Sequence, residues 1–228
     1  MSVRVRLMRL RMMWVVVGVM SALAAHASTP NGDAEAGARK NALCIGCHGI
    51  VGFKTGFPEV YRVPKLHGQN AQYIANALSA YKRGERSHPS MRAIAETLTE
   101  QDMADLGAYF ESVVSDAPPR PGRSSADEMP GKSLVDRGGC QACHGENFTK
   151  PLDGSYPKLA GQNGDYLYVA LRAYKASENA RKKQWIGRTN PVMGAMTSQF
   201  SDEQLRAIAD YLASLPGTLA TVQRSGLH

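Results

Sequence analysis

All four cysteines of the chain sit in two copies of one five-residue signature, Cys44-Ile45-Gly46-Cys47-His48 and Cys140-Gln141-Ala142-Cys143-His144. In each copy one turn of backbone presents two thiols, and a histidine follows directly. That order suits covalent attachment of a haem, with the cysteines forming thioethers to the two porphyrin vinyl groups and the histidine reaching the iron. Two other chemistries use paired cysteines. A redox-active dithiol has no need of the adjacent histidine and occurs once, in a βαβ setting. A structural zinc site could draw on four thiolates, but these pairs lie 96 residues apart, and zinc ligands come from tighter stretches. The duplicated signature therefore implies two covalently bound haem c groups.

An iron held by His48 or His144 has a sixth position, and its occupant separates an electron carrier from an enzyme. Beyond residue 117 the histidines are His144 and His228 alone, and no thiol is spare, which leaves methionine as the soft ligand. Met91 and Met193 occupy matching places, each seven residues before a large apolar residue and eighteen before a tyrosine. Met196 competes with Met193, although its counterpart in the first half is Ile94, which cannot ligate. Met103 falls on a helix face and reads as core, and Met129 lies in the linker region. His67 and His88 correspond to Ala160 and Asn190, so they read as solvated or locally hydrogen-bonded side chains. Pro64 and Pro157 are candidates to support the haem histidines, whose free Nδ1–H usually donates to a backbone carbonyl.

The elements that must hold these groups are repeated as well. Pro64-Lys65-Leu66-His67-Gly68-Gln69-Asn70 is echoed by Pro157-Lys158-Leu159-Ala160-Gly161-Gln162-Asn163, and Tyr73, Tyr81 and Tyr109 by Tyr166, Tyr174 and Tyr211. Asn70 and Asn163 read as N-caps of helices bearing Ile74, Leu78 and Tyr81, or Leu167, Leu171 and Tyr174, at three- and four-residue spacing. Ser201-x-x-Gln204 reads as a capping box, and Thr99-x-x-Asp102 as a weaker one. No stretch alternates with period two long enough to predict a sheet. The fold class is all-α, two tandem domains at 28–116 and 131–228 joined by a proline-bearing linker at 117–130, each wrapped around one haem.

Residues 1–27 have the form of a cleavable signal peptide: Arg4, Arg6, Arg9 and Arg11, an apolar run from Met12 to Leu23, then Ala25-His26-Ala27. The run is short for a membrane span, which takes about 20 residues, and an uncleaved anchor is the alternative. The predicted location is the periplasm. Four of the 27 basic residues and none of the 20 acidic ones lie in this segment, so cleavage lowers the formal charge from +7 to +3. Haem propionates lower it further, and the high isoelectric point is no argument for nucleic-acid binding.

Taken together, the tandem C-x-x-C-H motifs, the P-K-L-x-G-Q-N after each, the following methionine and the helices ending near Tyr109 and Tyr211 resemble dihaem cytochrome c4. The resemblance spans nearly the whole mature sequence. It implies two helical domains about an approximate two-fold axis, low-spin irons held by His48 with Met91 and by His144 with Met193, and electron shuttling in a respiratory chain. The partners implied are a membrane-bound terminal oxidase or a quinol-oxidising complex, with no small-molecule substrate. A dihaem electron-accepting subunit of a sulfide- or alcohol-oxidising dehydrogenase would carry the same sites. A haem enzyme, such as a peroxidase or thiosulfate dehydrogenase, would need an open or labile iron. The halves differ in one place: nine extra residues between Tyr174 and Met193, carrying Arg181, Lys182, Lys183, Trp185 and Arg188. This basic insertion is a candidate for steering an acidic partner or for peripheral association with a membrane.

Overall fold

A computed structural model describes residues 30–113, 126–179 and 187–222. The first half contains α1 (Ala34–Lys40), α2 (Ala42–His48), α3 (Ala71–Lys82), α4 (Pro89–Glu96) and α5 (Glu100–Ser112). The second half repeats them as α6 (Pro130–Arg137), α7 (Gln141–His144), α8 (Gly164–Asn179), α9 (Pro191–Ser198) and α10 (Asp202–Ser214). Short strands also form: β1 (Lys54–Thr55) pairs with β2 (Tyr61–Arg62), and β3 (Arg86–Ser87) with β4 (Gly187–Arg188). At two residues each, they are too short for any period-two pattern to register in the sequence.

Each half closes around an apolar stripe. Ile74 and Leu78 of α3 meet Met103, Leu106 and Phe110 of α5, and Leu167 of α8 meets Leu205, Ile208 and Leu212 of α10. Such stripes at helical spacing bury one face and leave the other to water. The terminal helices of each half cross at a glycine, because nothing larger fits. A Cβ at Gly37 would lie 2.1 Å from the carbonyl oxygen of Asp105, and one at Gly131 would lie 2.1 Å from that of Ala207. Both predicted capping boxes are complete, Thr99 with Asp102 and Ser201 with Gln204.

The helix ends of the first half carry a charge cluster that has no equivalent at Asp136 and Ala207, the matching positions of the second. Lys40 Nζ lies 2.6 Å from both Asp102 Oδ1 and Asp105 Oδ2. Asp105 is buried and also accepts from the backbone N–H of Asp33 and from Gln101 Nε2. Its burial alone would raise the carboxyl pKa, but hydrogen bonds from Lys40, Asp33 and Gln101 outweigh that and hold it below the ordinary range. Asp102 is held well below as well, chiefly by the hydrogen bond from Lys40. Both folded values lie under the unfolded one of about 3.9, so the stabilisation is present above that pH and is lost as pH falls through the folded values. The repeat places Ala207 where Asp105 stands. Acid titration followed by hydrogen exchange is therefore expected to open the first half before the second. Asp105→Asn should flatten that difference and, by leaving buried donors poorly matched, cost about 1–3 kcal/mol at neutral pH.

The two halves dock through the repeated P-K-L-x-G-Q-N segment. Gln162 Oε1 accepts from Lys65 N at 2.9 Å and its Nε2 donates to Lys65 O at 3.0 Å. Gln69 does the same to Lys158, at 2.8 and 3.0 Å. Lys65 Nζ donates to Gly161 O and Lys158 Nζ to Gly68 O. Asn70 and Asn163, predicted as side-chain N-caps, are spent differently. Asn70 stands at the N-cap of α3, yet its Nδ2 donates across to Tyr156 O at 2.8 Å, as Asn163 Nδ2 donates to Val63 O at 2.8 Å. An N-cap side chain would accept at Oδ1 from the first turn, and α3 has no such bond from Asn70.

His67 is neither solvated nor locally bonded. At 1% exposure it packs edge-on against Phe110, exchanges backbone hydrogen bonds with Ala220, and accepts at Nδ1 from Val222 N. The chain after α10 thus returns to the first half and covers this histidine. Ala160, its counterpart in the second half, is equally buried, with the Gly217 backbone packed against its carbonyl.

Candidate haem sites

Each C-x-x-C-H motif ends a short helix, α2 or α7, with Cys140 as the N-cap of α7, and the last residue of each helix is the histidine, buried in both cases. His48 Nδ1 lies 2.9 Å from Pro64 O, and His144 Nδ1 lies 3.0 Å from Pro157 O. A carbonyl can only accept, so the proton sits on Nδ1 and Nε2 keeps its lone pair for a metal. Burial lowers the pKa of both imidazoles, partly offset by these carbonyls, which keeps the rings neutral as ligation requires. Burial also pushes the Cys44 thiol up to about 11 and raises Cys140. A redox-active dithiol would show the opposite shift.

Around the first motif is a cavity of about 530 Å³ whose wall includes Cys44, Cys47, His48, Met91 and Ile94. Two thiols, a neutral imidazole and a thioether sulfur thus face one largely apolar space, and that set fits a haem held through thioether links. The methionines are delivered alike in both halves. Met91 is the third residue of α4, and its N–H is capped by His88 Nδ1 at 3.4 Å. Met193 is the third residue of α9, capped by Asn190 Oδ1 at 2.9 Å. His88 is thus locally hydrogen-bonded, and Asn190 performs the same work at the equivalent position. Met196 lies one turn further along α9, half-buried like Met193.

Arg188 does not belong with the basic insertion. It is 8% exposed, and β4 sets it directly opposite Arg86 of β3. Each arginine precedes its methionine by five residues, a spacing visible in the sequence that marks Arg188 as part of the repeat. Arg181, Lys182, Lys183 and Trp185 lie outside the described residues, as do the signal segment and most of the linker.

Two helical halves, each bringing a C-x-x-C-H helix against a methionine-bearing helix, define a tandem c-type cytochrome. The chain belongs to the cytochrome c family, whose model matches residues 34–113 and 129–216. Its similarities narrow the assignment to a cytochrome c4-like dihaem electron carrier with two covalently attached haem c groups. It is 30% identical over 204 residues to cytochrome c4 of Azotobacter vinelandii, covering 84% of this chain and 91% of that one. It is 31% identical over 217 residues to a thiosulfate dehydrogenase electron acceptor of Stutzerimonas stutzeri, covering 89% of this chain and 94% of that one. The reduced recombinant cytochrome c4 structure from Pseudomonas stutzeri superposes with a TM-score of 0.63 at 27% identity, over 81% of this chain and 99% of that one.

Proposed function

We propose that this carrier works in the periplasm with both irons six-coordinate, His48 and Met91 closing one site and His144 and Met193 the other. It passes single electrons to a membrane-bound terminal oxidase or receives them from a quinol-oxidising complex. The observation that carries this reading is the repetition of the whole delivery system: a histidine oriented by a proline carbonyl and a methionine at the third position of a capped helix, once per half. The haem supplies the one-electron couple. The chain anchors it through Cys44, Cys47, Cys140 and Cys143, fixes the imidazoles, and excludes water by burial. With both axial positions taken, no small molecule reaches an iron.

Among the described residues no helix is long and apolar enough to cross a membrane. Lys182 and Lys183 would supply the weak, salt-sensitive attraction that a transient encounter with an acidic partner or anionic headgroups uses.

The likeness to a thiosulfate dehydrogenase electron acceptor supports a second reading, in which the donor is a sulfur-oxidising enzyme. Stopped-flow spectroscopy on the purified holoprotein separates the two. Membranes containing a terminal oxidase are expected to reoxidise the reduced protein at least tenfold faster than oxygen alone, and cyanide should abolish the acceleration. No acceleration by membranes, with rapid reduction by a thiosulfate-oxidising enzyme that co-purifies, would replace the first reading with the second.

A further inference from the structure

The segment from Pro216 to Val222, which follows α10, runs along the seam between the halves and touches both. Gly217 packs so closely on the second half that a Cβ there would stand 2.0 Å from Ala160 O, and a Cβ at Gly68 of the first half would stand 2.9 Å from Thr218 O. Leu219 is buried, Ala220 N donates to His67 O at 3.0 Å, and His67 N donates to Ala220 O at 3.3 Å. One bond of this strap goes to a side chain: Val222 N donates to His67 Nδ1 at 3.3 Å. An Nδ1 that accepts carries no proton, so the neutral ring holds its proton on Nε2.

A second proton is poorly accommodated. With it, Nδ1 becomes a donor facing the Val222 donor, and the ring carries charge while buried against Phe110 and Tyr109 of α5. The groups around it supply no counter-charge. Tyr109 is a phenol, and His48 of α2 opposes a positive neighbour. Lys65 of the same segment and Lys158 facing it are cations, donating to Gly161 O and Gly68 O. Pro216 to Val222 includes no titratable side chain. Among the described residues no carboxylate lies within ion-pair distance of the ring. Burial therefore lowers the pKa of His67, and the Ala220 carbonyl, which favours the charged form, offsets this in part.

We propose that His67 is a proton-sensitive latch: neutral, it holds the strap across both halves, and protonated, it releases the strap and loosens the docking of the repeated segments beside it. The coupling is short, because Gly68 and Gln69 follow His67 directly and Gln69 carries the bonds to Lys158. In the released strap the ring regains its ordinary value of about 6.5. The docked value is lower, so the latch holds fully above about pH 6.5 and weakens as pH falls below it, until the docked value is passed. Asp102 and Asp105 act at lower pH, so the two acid effects separate.

The test is hydrogen exchange of the holoprotein, read at the Ala220 and Val222 amides as protection relative to the intrinsic rate. Between about pH 7.5 and pH 5.5 protection at both is expected to fall about tenfold, while amides within α10 hold steady. This reading needs no variant to fold. His67→Phe keeps a ring against Phe110 but has no nitrogen, so its strap should be less protected at neutral pH and indifferent to pH across that range. Pulse radiolysis should show electron transfer between the haems slowing with the same midpoint in the parent and without pH dependence in His67→Phe. Strap protection that stays flat in the parent, or a pH dependence that survives in His67→Phe, would overturn the latch. Release of the strap with an unchanged transfer rate would overturn its coupling to docking.

Discussion

Met193→Ala is expected to abolish the sulfur-to-iron band of one haem and to lower that haem's reduction potential, while Met196→Leu leaves both in place. The two methionines share α9 three residues apart and are both half-buried, so exposure does not choose between them. The repeat does. Ile94 holds the place of Met196 in α4 and lines the first cavity beside Met91, which makes that position a packing site with no donor role. Met193 shares with Met91 the third position of a helix whose N-cap side chain accepts from its own N–H. That bond fixes where the helix begins and hence where the sulfur points. Methionine ligation favours the ferrous state, and its loss is expected to weaken reduction by about a hundredfold or more, roughly 118 mV at 59 mV per tenfold step. Met91→Ala should do the same at the other haem. A band that survives Met193→Ala and disappears in Met196→Leu would reassign the ligand and break the symmetry of the two sites.

Much of this was legible because haem attachment leaves a linear signature. Cys44, Cys47 and His48 are contiguous, and the helix stripes around Leu106 and Leu205 are spelled by local spacing. Docking is different in kind. Gln69 and Gln162 appear in the sequence only as members of a repeated motif. Their partners, the backbone of Lys158 and Lys65, are nearly a hundred residues away and have no side-chain identity to read. Asn70 misled for a related reason: it occupies an N-cap by backbone conformation, but tertiary competition redirects its amide to Tyr156 O. His67 hid its burial because the covering strand, near Ala220, comes from the far end of the chain. Arg188 was the recoverable miss, since counting back five residues from each methionine pairs it with Arg86.

The reciprocal glutamines make the second large effect predictable. Each is nearly fully buried and uses both ends of its amide on one lysine backbone of the opposite half. Its Oε1 also accepts from the following asparagine N–H. Truncation to alanine strands two backbone N–H groups and a C=O, at about 1–3 kcal/mol for each group left buried and unsatisfied. Interfaces within a chain permit relative motion unless they are large and apolar, and this one is held mainly by polar bonds. The Gln69→Ala/Gln162→Ala double variant is therefore expected to undock the halves while each keeps its own haem and core. Solution scattering should show a larger radius, calorimetry two transitions where the parent has one, and pulse radiolysis a slowing of at least tenfold in electron transfer between the haems. The two single variants need not add, because the same two segments lie face to face in both. If the double variant stays compact with unchanged transfer between the haems, docking resides instead in the Arg62–Asp165 and Arg172–Glu59 ion pairs and the strand near Ala220. High salt should then separate the halves where the glutamine substitutions did not, because exposed ion pairs are screened and buried amide bonds are not.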